Sequence, residues 1–393
     1  MMSRALIVAA IVLGGATSAF AYPQFQISKD VTCGSCHIAP EGGGLLNENG
    51  LAYAEEMSQF GTDPTFLNGL IKTPSWLMLG GDFRGVTGFT QAPEKYLETF
   101  PMQADLYGSA KFLGHFHVSV TLGYRPPEYG NVAATSVWSR EHYIMWQQDA
   151  DDEFGLFARV GRFMPVFGLR FAEHPEYVRQ YGGTPLYSET YGAAVEYIDP
   201  SWEAHLTGFI RDPLIDPVAH GNGVAAYAEL RPIEHMAVGA EGMITSTLDC
   251  SAGCMYHHSK TYRGGVVGKY YVAATDLLVQ GEVQFVDQRV EDTNTHQIVG
   301  TVMATKFLPL GLMAELALSY YNEDLHVKGV DREAADLNVH WFATSHVELL
   351  LTTRLELIHF GADVDTSPTG PTGILDAAGP TGSYVLLQAH YRL

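Results

Sequence analysis

The chain is 393 residues long, rich in glycine (41), tyrosine (21) and phenylalanine (19), with 17% charged residues and a net charge of −21. A mean hydropathy near zero with so few charges does not fit a typical soluble protein of this length, yet no segment beyond the N-terminus is a continuous apolar run fit for a transmembrane helix. The strong negative charge argues against nucleic acid as a partner.

Residues 1–21 read as a signal peptide. Arg4 supplies the positive start, Ala5 to Gly15 the apolar core, and "AFA" at 19–21 the small-residue cleavage site. That core is too short for a spanning helix, which takes roughly 20 residues. The mature chain is therefore expected to begin at Tyr22, in the periplasm of a Gram-negative cell.

Residues 22–73 carry the sharpest motif. In "VTCGSCHIAPEGGG", Cys33, Cys36 and His37 form the CxxCH signature of covalent c-type haem attachment. Cys33 and Cys36 would form thioethers to the porphyrin, and His37 would be the proximal iron ligand. The competing reading is a plain CxxC redox pair. Gly42 to Gly44 would let the backbone pass close to the ring edge. The pattern from Asn47 to Phe60 predicts one helix that turns Leu51, Ala54 and Met57 toward the haem.

The distal ligand has several candidates. A Met57 thioether would raise the potential, although methionine also fills gaps in ordinary packing. The amine of Tyr22 is a second candidate, because "YPQF" resembles the start of cytochrome f. The lumenal histidines His117, His205 and His340 are the third. A segment of about fifty residues cannot bury a large core alone. It is expected to act as a plug or cap, with little linker in residues 61–75 for swinging.

From Trp76 onward, apolar and polar residues alternate in segments suited to membrane barrel strands. In "HFHVSVTLGYR", Phe116, Val118, Val120, Leu122 and Tyr124 share one face, and His115, His117, Ser119, Thr121 and Arg125 share the other. Residues 74–393 thus predict an all-β outer-membrane antiparallel barrel of roughly sixteen strands. The strands are expected to start near 76, 101, 115, 138, 155, 189, 202, 221, 235, 260, 276, 295, 311, 332, 346 and 381. Short turns such as "DPS", "PIE" and "LPLG" alternate with longer loops, which places both barrel ends on the periplasmic side.

The lumen parity is heavily ionisable: Asp82, Arg84, His117, Arg125, Glu203, His205, Arg211, Glu229, Arg231, Arg263, Lys269, Glu282, Glu315, Asp336, His340, Arg354 and Glu356. Structural ion pairs in a wet or plugged interior account for most of them. The aromatic stretch "FMPVFGLRFAEHPEYVRQYGG" is long enough to fold inward and narrow the lumen. Its lead-in, "GRFMPVFG", resembles a motif of anion-type porins. In an outer loop, Cys250 and Cys254 are expected to form a disulfide, and His257 and His258 beside them would alternatively allow a Cys/His metal site.

An exported chain with one CxxCH near its start and a porin-like barrel behind it resembles the fused monohaem cytochrome–porin family, known for outer-membrane iron oxidases. The resemblance implies haem c on Cys33, Cys36 and His37. It also implies an oxidoreductase role, with electrons passing from extracellular ferrous iron through the haem to a periplasmic carrier. The alternative is a substrate-selective porin whose haem segment docks a carrier or senses redox state on the periplasmic side.

Overall fold

The computed structural model describes residues 23–91, 95–124, 137–149, 152–173, 175–185, 188–212, 221–250, 256–291, 293–328, 330–358 and 382–393. The signal peptide, Tyr22, Arg125 and the pairing of Cys250 with Cys254 fall outside them.

Sixteen antiparallel strands close into one barrel, each paired with its neighbours in sequence, and β1 closes on β16. The first eight are β1 Leu77–Gln91, β2 Lys95–Phe112, β3 Phe116–Tyr124, β4 Val137–Gln147, β5 Gly155–Phe163, β6 Thr190–Asp199, β7 Trp202–Ile210 and β8 Asn222–Ile233. The second eight are β9 Met236–Cys250, β10 Tyr256–Val272, β11 Leu277–Val290, β12 Thr293–Leu308, β13 Leu312–Asn322, β14 Asp331–Thr344, β15 Val347–Ile358 and β16 Tyr384–Arg392.

Period-two alternation decides the faces. On β3, Val118, Val120 and Leu122 are exposed outward while Thr121 between them is buried. On β16, Val385, Leu387, Ala389 and Tyr391 face out, and Gln388 and His390 face in.

Strand starts agree closely with the sequence expectation except at β2, which begins six residues earlier than position 101. Pro101 has no N–H to give a ladder, so it reads as a boundary in sequence. In the barrel it pairs with Gly85 beside a β-bulge, where Met102 is the extra residue between the Arg84–Gln103 and Gly85–Pro101 pairs.

The expected lumen residues largely point inward. Glu203, His205, Glu229, Lys269, Glu282, Glu315, Asp336, His340, Arg354 and Glu356 are buried. Several form ion pairs, among them Arg354 Nε to Asp336 Oδ1 at 2.7 Å and Lys269 Nζ to Glu229 Oε2 at 2.6 Å. Arg211 is the exception, because it lies just past the end of β7 and is exposed.

Two pieces fill the interior. Residues 164–173 and 175–183 lie in the lumen and carry the short helix Tyr177–Gln180. Val166, Leu169, Phe171, Tyr177 and Val178 pack there on Tyr227, Val299, Met303, Ala317 and Tyr321 of the wall. The Tyr177 hydroxyl donates to Glu356 Oε1 at 2.5 Å, and the Leu169 N–H donates to Glu282 Oε2 at 2.5 Å.

The second piece is the N-terminal segment, which sits in the short-turn mouth. Its first helix, α1 (Pro23–Lys29), presents Ile27 to Ala237, Tyr271 and Leu278. Phe25 joins a cluster with Ala54, Met57, Met313 and Phe342. The backbone then runs along the rim: Gln59 N–H donates to Phe342 O at 2.9 Å and Phe60 N–H to Ala343 O at 3.0 Å. At the β8–β9 turn, His235 N–H donates to Asp30 Oδ1 at 2.9 Å. The segment is thus a plug held by the rim.

Candidate functional site

The CxxCH residues are set by local hydrogen bonds before any tertiary contact. Thr32 and Ser35 cap each other reciprocally, with Ser35 N–H donating to Thr32 Oγ1 at 3.3 Å and Thr32 N–H to Ser35 Oγ at 3.1 Å. The 3-10 turn Cys33–Ser35 follows, and His37 N–H returns to Cys33 O at 3.0 Å. Asn47 ties this turn to the next helix. Its Nδ2 donates to Gly34 O at 2.9 Å, while its Oδ1 accepts from Gly50 N–H at 3.0 Å as the cap of α2 (Glu48–Met57). The contact is close, because a Cβ at Gly50 would lie 2.2 Å from the Cys36 carbonyl oxygen.

Cys33, Cys36 and His37 line one wall of a cavity of about 390 Å³. The two thiols are not joined in a disulfide. Burial, with help from the Glu203 carboxylate, pushes the Cys33 thiol up to about 12. Burial likewise pushes Cys36 up to about 11. A reactive CxxC pair needs the opposite shift, toward thiolate. Gly42 arches over the pair with φ +86°, where a Cβ would stand 3.2 Å from Cys33 Cβ.

The rest of the cavity comes from three sources. Leu46, Leu51, Ala54 and Phe25 give the N-terminal segment's apolar share. The lumen loop adds Met164, Val166 and Arg179, and the barrel wall adds Arg84, Arg140 and His205. The Nε atoms of Arg84 and Arg179 are buried with no hydrogen-bond partner among the described residues.

Two thiols, an imidazole, an apolar floor and inward guanidiniums suit one covalently held, flat, dianionic macrocycle. The residues present fit haem c.

No protein-family model matches the sequence, and no curated protein matches it. Solved structures do match the barrel. OmpT of Vibrio cholerae in its trimer form has a TM-score of 0.59 at 11% identity, over 81% of this chain and 99% of that one. An anion-selective porin from Comamonas acidovorans has a TM-score of 0.54 at 12% identity, over 80% and 98%. The outer membrane channel DcaP of Acinetobacter baumannii has a TM-score of 0.55 at 12% identity, over 82% and 99%. The barrel has the porin fold.

Within this porin-fold barrel the candidate distal ligands separate by position. Met57 is buried against Phe25, Met313 and Phe342 and does not line the cavity, whereas Leu51 and Ala54 of the same helix do. Met57 closes the helix, and its side chain packs on the wall at Met313 and Phe342.

Of the three lumenal histidines, His205 lines the cavity, with Glu196 Oε2 at 3.3 Å from Nδ1 and Glu203 Oε1 at 3.6 Å from Nε2. His117 and His340 lie elsewhere on the wall. Sequence reasoning passed over Met164, Arg179, His346 and His390, all of which line the cavity. His390 shows the lumen parity of β16 and was legible in principle. Met164 and Arg179 sit in the loop, where no period marks which side faces in.

Proposed function

We propose that the chain is an outer-membrane redox protein of a Gram-negative cell, in which a porin-fold barrel holds one haem c bound at Cys33 and Cys36 with His37 as proximal ligand. Electrons would pass between an extracellular donor, ferrous iron in the family it resembles, and a periplasmic carrier. The observation that carries this reading is the convergence of both thiols and His37 on a single cavity shared with the barrel wall.

The bound haem would supply one-electron chemistry at its iron. The chain's own residues do the rest. Asn47 holds the His37 carbonyl at 3.3 Å and fixes the motif to α2. Leu46, Leu51 and Phe25 exclude water from one side, and Arg84 and Arg179 offer charge partners for carboxylates.

Depth matters, because tunnelling falls steeply with distance. Arg84 lies seven residues along β1 from Leu77, about 23 Å of strand, or about 16 Å along the membrane normal at a tilt near 45°. Arg84, on the cavity wall, thus stands well inside the barrel from its short-turn end. A redox group there is accessible from both sides in a way that one hanging in the periplasm is not.

The test uses intact cells expressing the chain. A membrane-impermeant reductant or ferrous iron added outside should change the haem absorbance, and replacing Cys33 and Cys36 together by alanine should abolish covalent haem staining of the denatured chain. If the haem responds only after lysis, the conduit fails. The second reading, a selective channel with a haem segment at its mouth, draws on the porin fold and would then stand if reconstituted protein also conducts solutes.

A further inference from the structure

A second cluster lies in the lumen, among residues that do not line the haem cavity. Glu173 belongs to the lumen loop, Glu315 to β13 and His340 to β14. One donor atom from each falls within 4.8 Å of the others. His340 Nε2 is 3.2 Å from Glu315 Oε2 and 3.9 Å from Glu173 Oε1. We propose that Glu173, Glu315 and His340 bind a divalent first-row transition-metal ion inside the barrel.

The surroundings hold these side chains in place. His340 Nδ1 lies 2.7 Å from Glu348 Oε1, and that carboxylate is itself held by His390 Nδ1 at 2.9 Å and by Arg392 at 2.6 Å. A carboxylate behind one ring nitrogen orients the imidazole, so that Nε2 faces the Glu315 and Glu173 carboxylates. Glu315 is set in the same way: Thr305 Oγ1 donates to its Oε1 at 3.2 Å, so Oε2 points to the centre.

Two further groups point to a missing ligand. The Glu173 side chain is 9% exposed, and its Oε2 is buried with no hydrogen-bond partner among the described residues. Asn338, fully buried, is the register partner of Glu315 on β14 and two residues from His340, hence on the same face. Neither its Oδ1 nor its Nδ2 has a partner among the described residues.

Leaving such groups buried and unmet is costly, and a cation with bound water would meet them. One imidazole with two carboxylates selects manganese, iron, cobalt or zinc over calcium and magnesium, which prefer all-oxygen sites.

The test is equilibrium dialysis of the full haem-loaded chain in detergent against Zn²⁺ after chelator treatment, with bound zinc counted by elemental analysis. One tightly bound equivalent is expected. Glu173→Gln and Glu315→Gln should each weaken it at least about tenfold, and Glu348→Gln, which only orients His340, by about tenfold or more.

Glu234→Gln, in the exposed Asp30–Glu234–His235 group on the rim, should leave that equivalent in place. Circular dichroism establishes that each variant keeps its barrel, and the comparison uses those that do. No tight equivalent in the parent chain, or one that survives Glu173→Gln and Glu315→Gln in a folded barrel, overturns the proposal. The zinc count is read without reference to electron transfer, so it does not depend on the haem's role.

Discussion

At the scale of residues, the CxxCH site is a lesson in how few side chains set chemistry and how many set position. Cys33, Cys36 and His37 are named by spacing alone, but the partner on the far side of the cavity is not. Met57 has the right chemistry on the right helix, yet its side chain is spent in packing with Phe25, Met313 and Phe342. Met164 reaches the cavity from the lumen loop, with its sulfur 3.9 Å from Arg179 Nη1. Substituting each by leucine separates them. Under the proposed haem assignment, with Met164 as the distal ligand, Met164→Leu would lower the reduction potential and alter the absorption spectrum, because a thioether ligand raises the potential. Met57→Leu keeps volume and apolarity, so it should leave the spectrum unchanged and cost less than about 1.5 kcal/mol in stability.

At the scale of elements, the plug and the lumen loop each combine apolar burial with polar anchors. In the plug the apolar share centres on Phe25. Phe25 stacks obliquely on Phe307 at 5.2 Å between centroids and is 2% exposed. Phe25→Ala would open a cavity worth about 3 kcal/mol. Limited proteolysis should then cut the N-terminal segment faster while leaving the barrel intact.

Beside its apolar cluster the loop has polar anchors. Ser319 Oγ donates to Glu176 Oε2 at 2.9 Å, and burial together with Asp336 pushes the Glu176 carboxyl up to about 8. Its folded pKa lies above the ordinary carboxylate value, so the folded chain holds this proton more tightly than the unfolded one. The associated stability is complete below the ordinary carboxylate range and is lost as pH rises through about 8. The exchange protection of the lumen loop, corrected for the intrinsic rate, should therefore fall between about pH 5 and pH 9. Glu176→Gln should flatten that dependence.

At the scale of the whole molecule, a porin fold need not make an open pore. The loop packs on strands β8 to β14 and the plug meets the rim at several turns, so both the middle and one mouth of the barrel are filled. Single-channel conductance in planar bilayers should fall well below that of an unobstructed barrel with the same number of strands. A conductance equal to an open porin would show that plug and loop move aside. The filled interior also explains why so many lumen charges are buried rather than wet: Arg354 with Asp336, and Lys269 with Glu229, are walled in by protein.

The sequence by itself determined the strand count, the inward and outward faces, the short-turn rim and the haem motif. Each is written at short range: a period of two where one face meets an apolar surround, and a five-residue signature. It even marked the loop at 163–183 by its length and aromatic content. What only the tertiary structure decided are the meetings. Gln26 donates to Glu203 at 3.3 Å across 177 positions, Tyr177 reaches Glu356 across 179, and Glu173 finds Glu315 and His340. Closing β1 on β16 folds the whole strand order into a ring, so residues distant in sequence share one lumen, and no local pattern records which of them will touch. The same closure turned Met57 to the wall and Met164 to the cavity, because space inside a filled barrel is allotted by packing.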